Sequence, residues 1–599
     1  MLGARLAHAD ELRDAVERAP GTVGDPVATL AQLQLAVVTP AGLSIEGALP
    51  YEVRTLVDRY DTPLFHLDHH SALTWWGSSL SLTYAPGVEW SGAGVQLQAA
   101  TTEPRDWVAS PLTLTTLDAQ IALNGPALRA VGRAWWPWED PPVAGAHQVH
   151  TWPALDGEVS YWLRSSQNLG VRYAAFAMAD SAHYDDAGGP ADHHVSISRT
   201  VIRHTLEELY RRGAWTGVFS QSLLSDDAAL ARGELQRHDD ARVSVATRNE
   251  LRRALHDVAG LPQLDVRLGA EANVTRHALD IADAADPHEN VPTTGIVPLD
   301  DTRHRFAGTI WTSDVGAWTS ATARLAANIR ATTGLRVEAF GTDLSVQPRG
   351  KLELDLADRL GAALAAGAYR RAPEHADELE HPQLHPERTT RVAIDLERRV
   401  DPRGRGTFGV IGAYYLDRTH LVEDDGTGKL ANSGRGTTYG ATASAGVIAR
   451  HWIAMATVVV EHSDRQVTPT SRARPFEYDQ PVRFDVRVTH FVGAWQLGAH
   501  WALREGLPYT RVAGAHYDAD RDVYLPDFAP LYAERFPWQH QLDLRVDRAI
   551  GSRLRAYLDI ANVYDARAAI GWDYNFNFTV RRAVTAPAIT PTLGIRGEL

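Results

Sequence analysis

The sequence predicts an all-β chain closed into an antiparallel barrel and preceded by a small mixed α/β unit. Three observations carry this expectation. The C-terminal half alternates aliphatic and charged residues for longer than a half-buried strand needs, as in "HQLDLRVDRAIGSRLRAYLDIANVYDA" from His540 to Ala566. Connections in that half alternate between short and long. Finally, 17 Trp, 19 Tyr, 13 Phe and 47 Gly in 599 residues suit strands and turns better than helical bundles.

Composition also sets exclusions. The chain has no cysteine, which removes disulfides, thiolate nucleophiles and thiolate metal sites. A formal net charge of -15 argues against nucleic acid as a partner, because affinity for phosphate backbones comes from clustered Lys and Arg. No run approaches the roughly eighteen apolar residues of a membrane-spanning helix; the nearest, Ala441 to Val460, is broken by Arg450 and His451. The start, "MLGARLAHADELRDAVERAPG", lacks the basic and apolar regions of a secretory signal, so the sequence as written is not expected to direct export.

The first hundred residues read as mixed. In "DELRDAVER" Asp10 can cap a short helix carrying Leu12 and Val16; in "GDPVATLAQL" Asp25 caps, Pro26 takes the first turn, and Leu30 and Leu33 share a face. Short apolar runs such as "LSIEGA" and "VRTLVDRY" follow between Gly, Pro and Asp, predicting small strands. These features place one unit at residues 1–100 and a strand-and-turn unit at 101–599. One segment, "TVIRHTLEELYRR", fits a helix through Ile202, Leu206 and Leu209 and fits a strand equally.

In the C-terminal half the short connections fall around Ala357 to Arg359, Arg399 to Gly406, Ala449 to Trp452, Val492 to Ala494 and Ile550 to Arg553. The long ones span roughly Arg370 to Thr389, Arg418 to Gly436, Ser463 to Gln480, Gly506 to Trp538 and Tyr564 to Ala588. Tight turns on one rim and long loops on the other are how a meandering barrel presents two unlike faces. Along the strands Leu542, Leu544 and Val546 oppose Gln541, Asp543, Arg545 and Asp547, while Leu554, Ala556, Leu558 and Ile560 oppose Arg555, Tyr557 and Asp559. A soluble sandwich could show its charged face to water. The final strand, "PTLGIRGEL", with Leu593, Ile595, Gly597 and Leu599 on one side, favours a barrel in which the last strand pairs with the first.

From about Leu335 to Leu599 the chain resembles the β-barrel of TonB-dependent outer-membrane receptors, particularly a branch found in myxobacteria and similar Gram-negative bacteria. The resembling stretches, in the family's order, include "SVQPRGKLELDLADRLGAALAAGAYRRAPE", "GRGTTYGATASAG", "REGLPYTRVAGAHYDADRDVYLP", "RFPWQHQLDLRVDR", "AYLDIANVYDARAAIGWDYNF" and "ITPTLGIRGEL". The N-terminal unit is similar to the plug of such barrels, through "PGTVGDPVATLAQL", "LSIEGALPYEVRTLVDRYDTPLF" and "LTYAPGVEWSGAG". Glu46 stands where the family usually has Arg, Arg59 follows Asp58 where Gly is usual, and Val88 replaces the second Gly of a Pro-Gly-Gly turn. Leu599 replaces the family's terminal Phe. Residues between about Thr101 and Gly334 match in strand-like texture alone, with "WVASPLTLTTLDAQIAL" and "YWLRSSQNLGVRYAAFAMA" as expected wall strands.

The resemblance implies a transmembrane β-barrel of about 22 strands with the α/β unit as a plug in its lumen. It further implies a receptor that takes a small-molecule ligand at the cell surface, sits in outer-membrane lipid, and imports when the inner-membrane energy-coupling protein TonB pulls on a box upstream of the plug. Almost nothing precedes "DELRDAVERAPG" to hold that box. A non-transporting surface receptor or scaffold is the alternative, and a soluble secreted carbohydrate-binding β-protein is a third.

Catalytic signatures are missing: no Gly-x-Ser-x-Gly elbow, Walker loop or His-Glu-x-x-His pair occurs, so neither an enzyme nor a cofactor is expected. Gly404, Gly406 and Gly409 spell a dinucleotide fingerprint but lack a following helix and read as a hairpin turn. Histidine and glutamate gather in "HLDHHS" (His66, His69, His70) and in "PEHADELEHPQLHPE" (Glu374, His375, His381, His385). Their spacing matches no fixed metal motif, and ordinary solvated loop polarity explains them as well. The first cluster lies in the plug-like unit and the second in a long loop, and since the family's long loops face outside the cell, these seven are the expected ligand-capture residues. Trp452 and Trp495, beside short turns, are expected in the periplasmic aromatic girdle.

Overall fold

The computed structural model describes residues 18–22, 25–34, 36–39, 42–65, 72–73, 78–84, 86–101, 111–115, 118–135, 147–151, 153–164, 166, 168–185, 195–232, 236–258, 260–284, 303–373, 383–401, 404–424, 430–519, 523–575 and 577–598. Helix α1, Pro26–Gln34, begins where its caps dictate. The Asp25 carboxylate accepts hydrogen bonds from the Val27 and Ala28 backbone N–H groups at 2.7 and 3.0 Å, and Pro26 lies where no intrahelical donor is needed. The other expected helix, from Asp10, lies outside the described residues except for Arg18.

After α1 come the hairpin β1 (Val37–Thr39) and β2 (Gly42–Ser44), a 3₁₀ turn at Pro50–Glu52, and strands β3 (Arg54–Val57), β4 (Tyr60–Asp61), β5 (Ser78–Tyr84) and β6 (Val95–Thr101). The last four form one sheet in the order β4-β3-β6-β5, with β3 and β6 parallel. Val27, Leu30, Leu43, Ile45, Val57 and Leu97 build its core, and Phe176, Met178, Val201 and Leu224 from the surrounding wall complete the same cluster. The small unit therefore relies on the barrel wall to cover part of its apolar surface.

Around it runs a closed ring of antiparallel strands. Twenty-four segments make the sheet. Two are short continuations: His147–Thr151 shares a partner strand with Ala154–Arg164, and Arg474–Pro475 shares one with Val482–Val492. That leaves the 22 staves expected. Closure occurs where the sequence placed it, with Thr590–Glu598 pairing Pro111–Thr115 from Gly594↔Thr115 to Glu598↔Pro111. "WVASPLTLTTLDAQIAL" and "YWLRSSQNLGVRYAAFAMA" each contribute to two strands. The ambiguous "TVIRHTLEELYRR" lies within strand Val195–Arg212, whose burial alternates residue by residue from Val201 to Glu208. Pairing along both of its edges overrides the helical spacing.

Tight turns at 213–214, 327–328, 358–359, 493–494 and 551–553 lie on one rim, and the connections 372–386, 467–481, 505–538 and 562–589 lie on the other. Gly404 and Gly406 sit at a turn leading into strand Gly406–Asp424, so the fingerprint is a hairpin. The wall is inverted relative to a soluble protein. Leu593 and Ile595 are 59% and 50% exposed on the outside while Asp543, Arg545, Asp547 and Asp559 are buried inside. An outward apolar band with a polar interior is the arrangement that lipid requires. Trp452 and Trp495 face outward beside their turns, whereas Trp135 is buried inside the wall with the Arg133 guanidinium 4.8 Å from its ring centroid.

Candidate functional site

The plug is held by side chains projecting inward from strands around the wall. Arg172 donates to Asp58 at 2.9 Å and to Glu207 at 2.7 Å. The Tyr60 hydroxyl meets Ser220 Oγ at 2.7 Å, and Arg203 donates to the Asp61 carbonyl. Arg349 donates to the carbonyls of Gly87 and Trp90 at 2.5 and 2.6 Å. Arg391 pairs with the Glu46 carboxylate, while Arg418 reaches the Glu46 carbonyl at 2.8 Å and Arg465 the Gly47 carbonyl at 3.0 Å. At the chain's other approach, Arg18 donates to Gln496 at 2.6 Å and the Gly21 N–H to Asp559 at 2.9 Å. Many of these bonds end on plug backbone, whose polar groups would otherwise be buried without water.

Each plug departure has a physical counterpart. Glu46, with a left-handed φ of 52°, turns its carboxylate to Arg391. Asp58 and Arg59, with φ of 47° and 78°, form the β3–β4 turn. A glycine at 59 would adopt that conformation freely, whereas Arg pays about 1–2 kcal/mol to point a guanidinium into the lumen. Val88 packs against the wall at Gly334, where a Cβ would lie 2.5 Å from Val88 Cγ2. Glu52, on the 3₁₀ turn, is buried, which opposes its ionisation; Arg465 and Arg418 outweigh that and hold its pKa below the ordinary 4.5.

Between plug and wall lies a cavity of 620 Å³, a volume suited to a small solute. Its floor is Arg54, Arg59, Tyr60 and Asp61 of the plug. The wall contributes Arg199, Arg203, Arg242, Glu271 and Glu338 from neighbouring strands, and Phe340 and Arg371 mark its extent toward the rim with the long connections. A solute entering from that rim would meet this cavity above the plug.

Of the expected capture residues, His66, His69, His70, Glu374, His375 and His381 lie outside the described residues. His385 is on the long-loop rim, 65% exposed in its side chain, with Nδ1 2.9 Å from Asp343 Oδ2 and its N–H donating to Asn432 at 2.7 Å. It does not line the cavity. Among the described residues no group of three or more His, Asp or Glu is arranged to hold a metal ion. The arginines that do line the cavity escaped the sequence reading. Their one signal was inward parity, since Arg199 and Arg203 share a strand face with Val201 and Thr205.

No known family pattern and no curated protein matches this sequence. Solved structures do match. The outer membrane transporter YddB from Escherichia coli superposes with a TM-score of 0.73 at 12% identity, over 98% of this chain and 97% of that one. A mutant of the ferric enterobactin receptor PfeA from Pseudomonas aeruginosa gives 0.72 at 10% identity, over 98% and 97%. The ferric yersiniabactin uptake receptor FyuA from Yersinia pestis gives 0.68 at 15%, over 93% and 91%. The chain shares the plugged-barrel fold of these proteins across nearly its whole length.

Proposed function

We propose that the chain is an outer-membrane importer of the TonB-dependent kind, with residues 1–100 as plug and 101–599 as barrel. It binds a scarce small solute from outside the cell and admits it when an inner-membrane coupling protein pulls on the plug. The observation that carries this reading is the cavity, floored by the plug itself and facing the long-loop rim, within a barrel that the plug occupies. A ligand seated there touches the element that must move, which is what couples binding to opening. The alternative of a non-transporting receptor or scaffold would be favoured by trimmed loops and by plug departures that leave the plug poorly fitted. Their counterparts at Arg391 and Gly334 weigh against it.

The chain's lack of cysteine permits a clean test. Val88→Cys with Gly334→Cys is the pair to tie plug to wall: an ideal Cβ at Gly334 would meet Val88 Cγ2 at 2.5 Å, so the two side chains are within reach once Val88 loses a methyl group. The Thr319 carbonyl oxygen, 2.9 Å from that Cβ, has to give slightly. Cells bearing the oxidised pair should grow like the deletion strain in the solute-limited medium where the deletion shows a defect, and reduction should restore growth. Wild-type growth with the lock closed would leave the scaffold reading instead.

A further inference from the structure

One side of the cavity carries guanidiniums without carboxylates of their own. Arg199 and Arg242 share a single carboxylate, Asp226, at 3.0 and 3.1 Å. Arg203, 3% exposed, meets Ser222 Oγ at 2.5 Å and the carbonyl of Asp61, and its Nε is buried with no partner. Arg59 lies 3.9 Å from Glu207, a carboxylate that Arg172 already clasps at 2.7 Å. The remaining acids nearby are engaged elsewhere. Asp61 is held by Arg54, Glu271 by Arg248 and Arg336, Glu338 by Arg336 and Gln347, and Asp240 stands 3.5 Å from the His277 ring. Asp314 lines the cavity from the strand carrying Gly316.

A chain with net charge -15 thus concentrates Arg59, Arg199, Arg203 and Arg242 on one cavity. Burying a guanidinium away from water without an anionic partner is costly, and a bound anion would remove that cost. Guanidiniums suit this role because their planar fork presents paired donors to carboxylate or phosphate oxygens. Arg199 and Arg203, four residues apart on one strand face, have backbones roughly 13 Å apart. That spread calls for more than one anionic group.

We propose that the solute is a small polyanion, bearing at least two carboxylate or phosphate groups, held by these four arginines. The proposal rests on the import reading for its biological meaning, but binding can be measured without transport. Purified full-length protein in detergent would be titrated calorimetrically with propane-1,2,3-tricarboxylate and with pyrophosphate, using sucrose as the neutral control. At least one anion should bind, more weakly as salt rises, and which one binds separates carboxylate from phosphate recognition. Arg242→Gln and Arg203→Lys should each weaken it about tenfold or more, with unchanged thermal midpoints showing that the fold survives. Arg435→Gln, at an outer-face pair with Asp417, should bind as wild type. If neither anion binds better than sucrose, or both cavity variants bind like wild type, the polyanion proposal is wrong. Should the Val88–Gly334 lock still abolish growth, import stands without it; should an anion bind while locked cells grow normally, the site stands and import falls.

Discussion

At Glu46 the plug places a carboxylate between two wall arginines, Arg391 at its side chain and Arg418 at its carbonyl. Glu46→Arg would set a third guanidinium there and leave Arg391 without its partner. The expected loss is about 3–5 kcal/mol of plug docking, read as earlier protease cleavage of the plug, and Arg391→Glu on the same chain should recover part of it. Arg59 illustrates a different trade. Arg59→Gly relieves the left-handed backbone and should raise the thermal midpoint slightly, while weakening anion binding in the cavity. Arg545 corrects an expectation from the sequence. The alternation of its strand puts it on the polar, inward face, where a water-filled lumen would let Gln replace it; in the structure it instead bonds Asp547 at 2.9 Å and Asp559 at 3.3 Å over the Tyr557 ring, and Asp559 in turn holds Gly21. Removing this charge leaves buried carboxylates facing one another, so Arg545→Gln should loosen the plug's leading segment.

Among elements, the wall strands behave as their alternation foretold. Leu544 on strand Gln539–Ile550 faces out while Asp543 and Arg545 face in. Leu544→Arg should therefore impair insertion by about 2–4 kcal/mol if it lies near the bilayer midplane, seen as loss of the heat-modifiable folded band. The Pro50–Glu52 turn carries a pH dependence. Its carboxylate is held below the ordinary value by Arg465 and Arg418 despite burial. Its stabilising effect is therefore complete above the unfolded-state pKa, about 4.3, and is lost as pH falls through the lower folded value. Plug protection from protease should decline across that acid range, and Glu52→Gln should remove this part of the decline.

Over the whole molecule, what could be read from the sequence and what could not divide along physical lines. Strand faces, turn positions and the Asp25 cap were legible because each depends on neighbours within a few residues; the closing strand showed its alternation locally although its partner lies at the far end of the wall, and the stave count followed from the family resemblance. The cavity was not, since it joins the Tyr60 turn to Arg203 and Arg242 across barrel registers that no local pattern encodes. Clustered histidines are visible in a sequence because they lie close together along it, and six of the seven expected capture residues fall outside the described residues. The plug also appears differently in the folded molecule: its apolar core is shared with Phe176, Met178, Val201 and Leu224 of the wall, whereas the ring of staves closes on itself through Thr590–Glu598 and Pro111–Thr115 without any plug residue. The two units should then be unequal in independence. A chain lacking residues 1–100 should still insert, because every stave of the closed ring keeps both neighbours, and it should conduct ions across a planar bilayer through the vacated lumen. The intact protein should remain closed under the same voltage. If the truncated barrel fails to insert, wall and plug fold as one cooperative unit, and the shared core matters more to the barrel than its closed hydrogen-bonded ring.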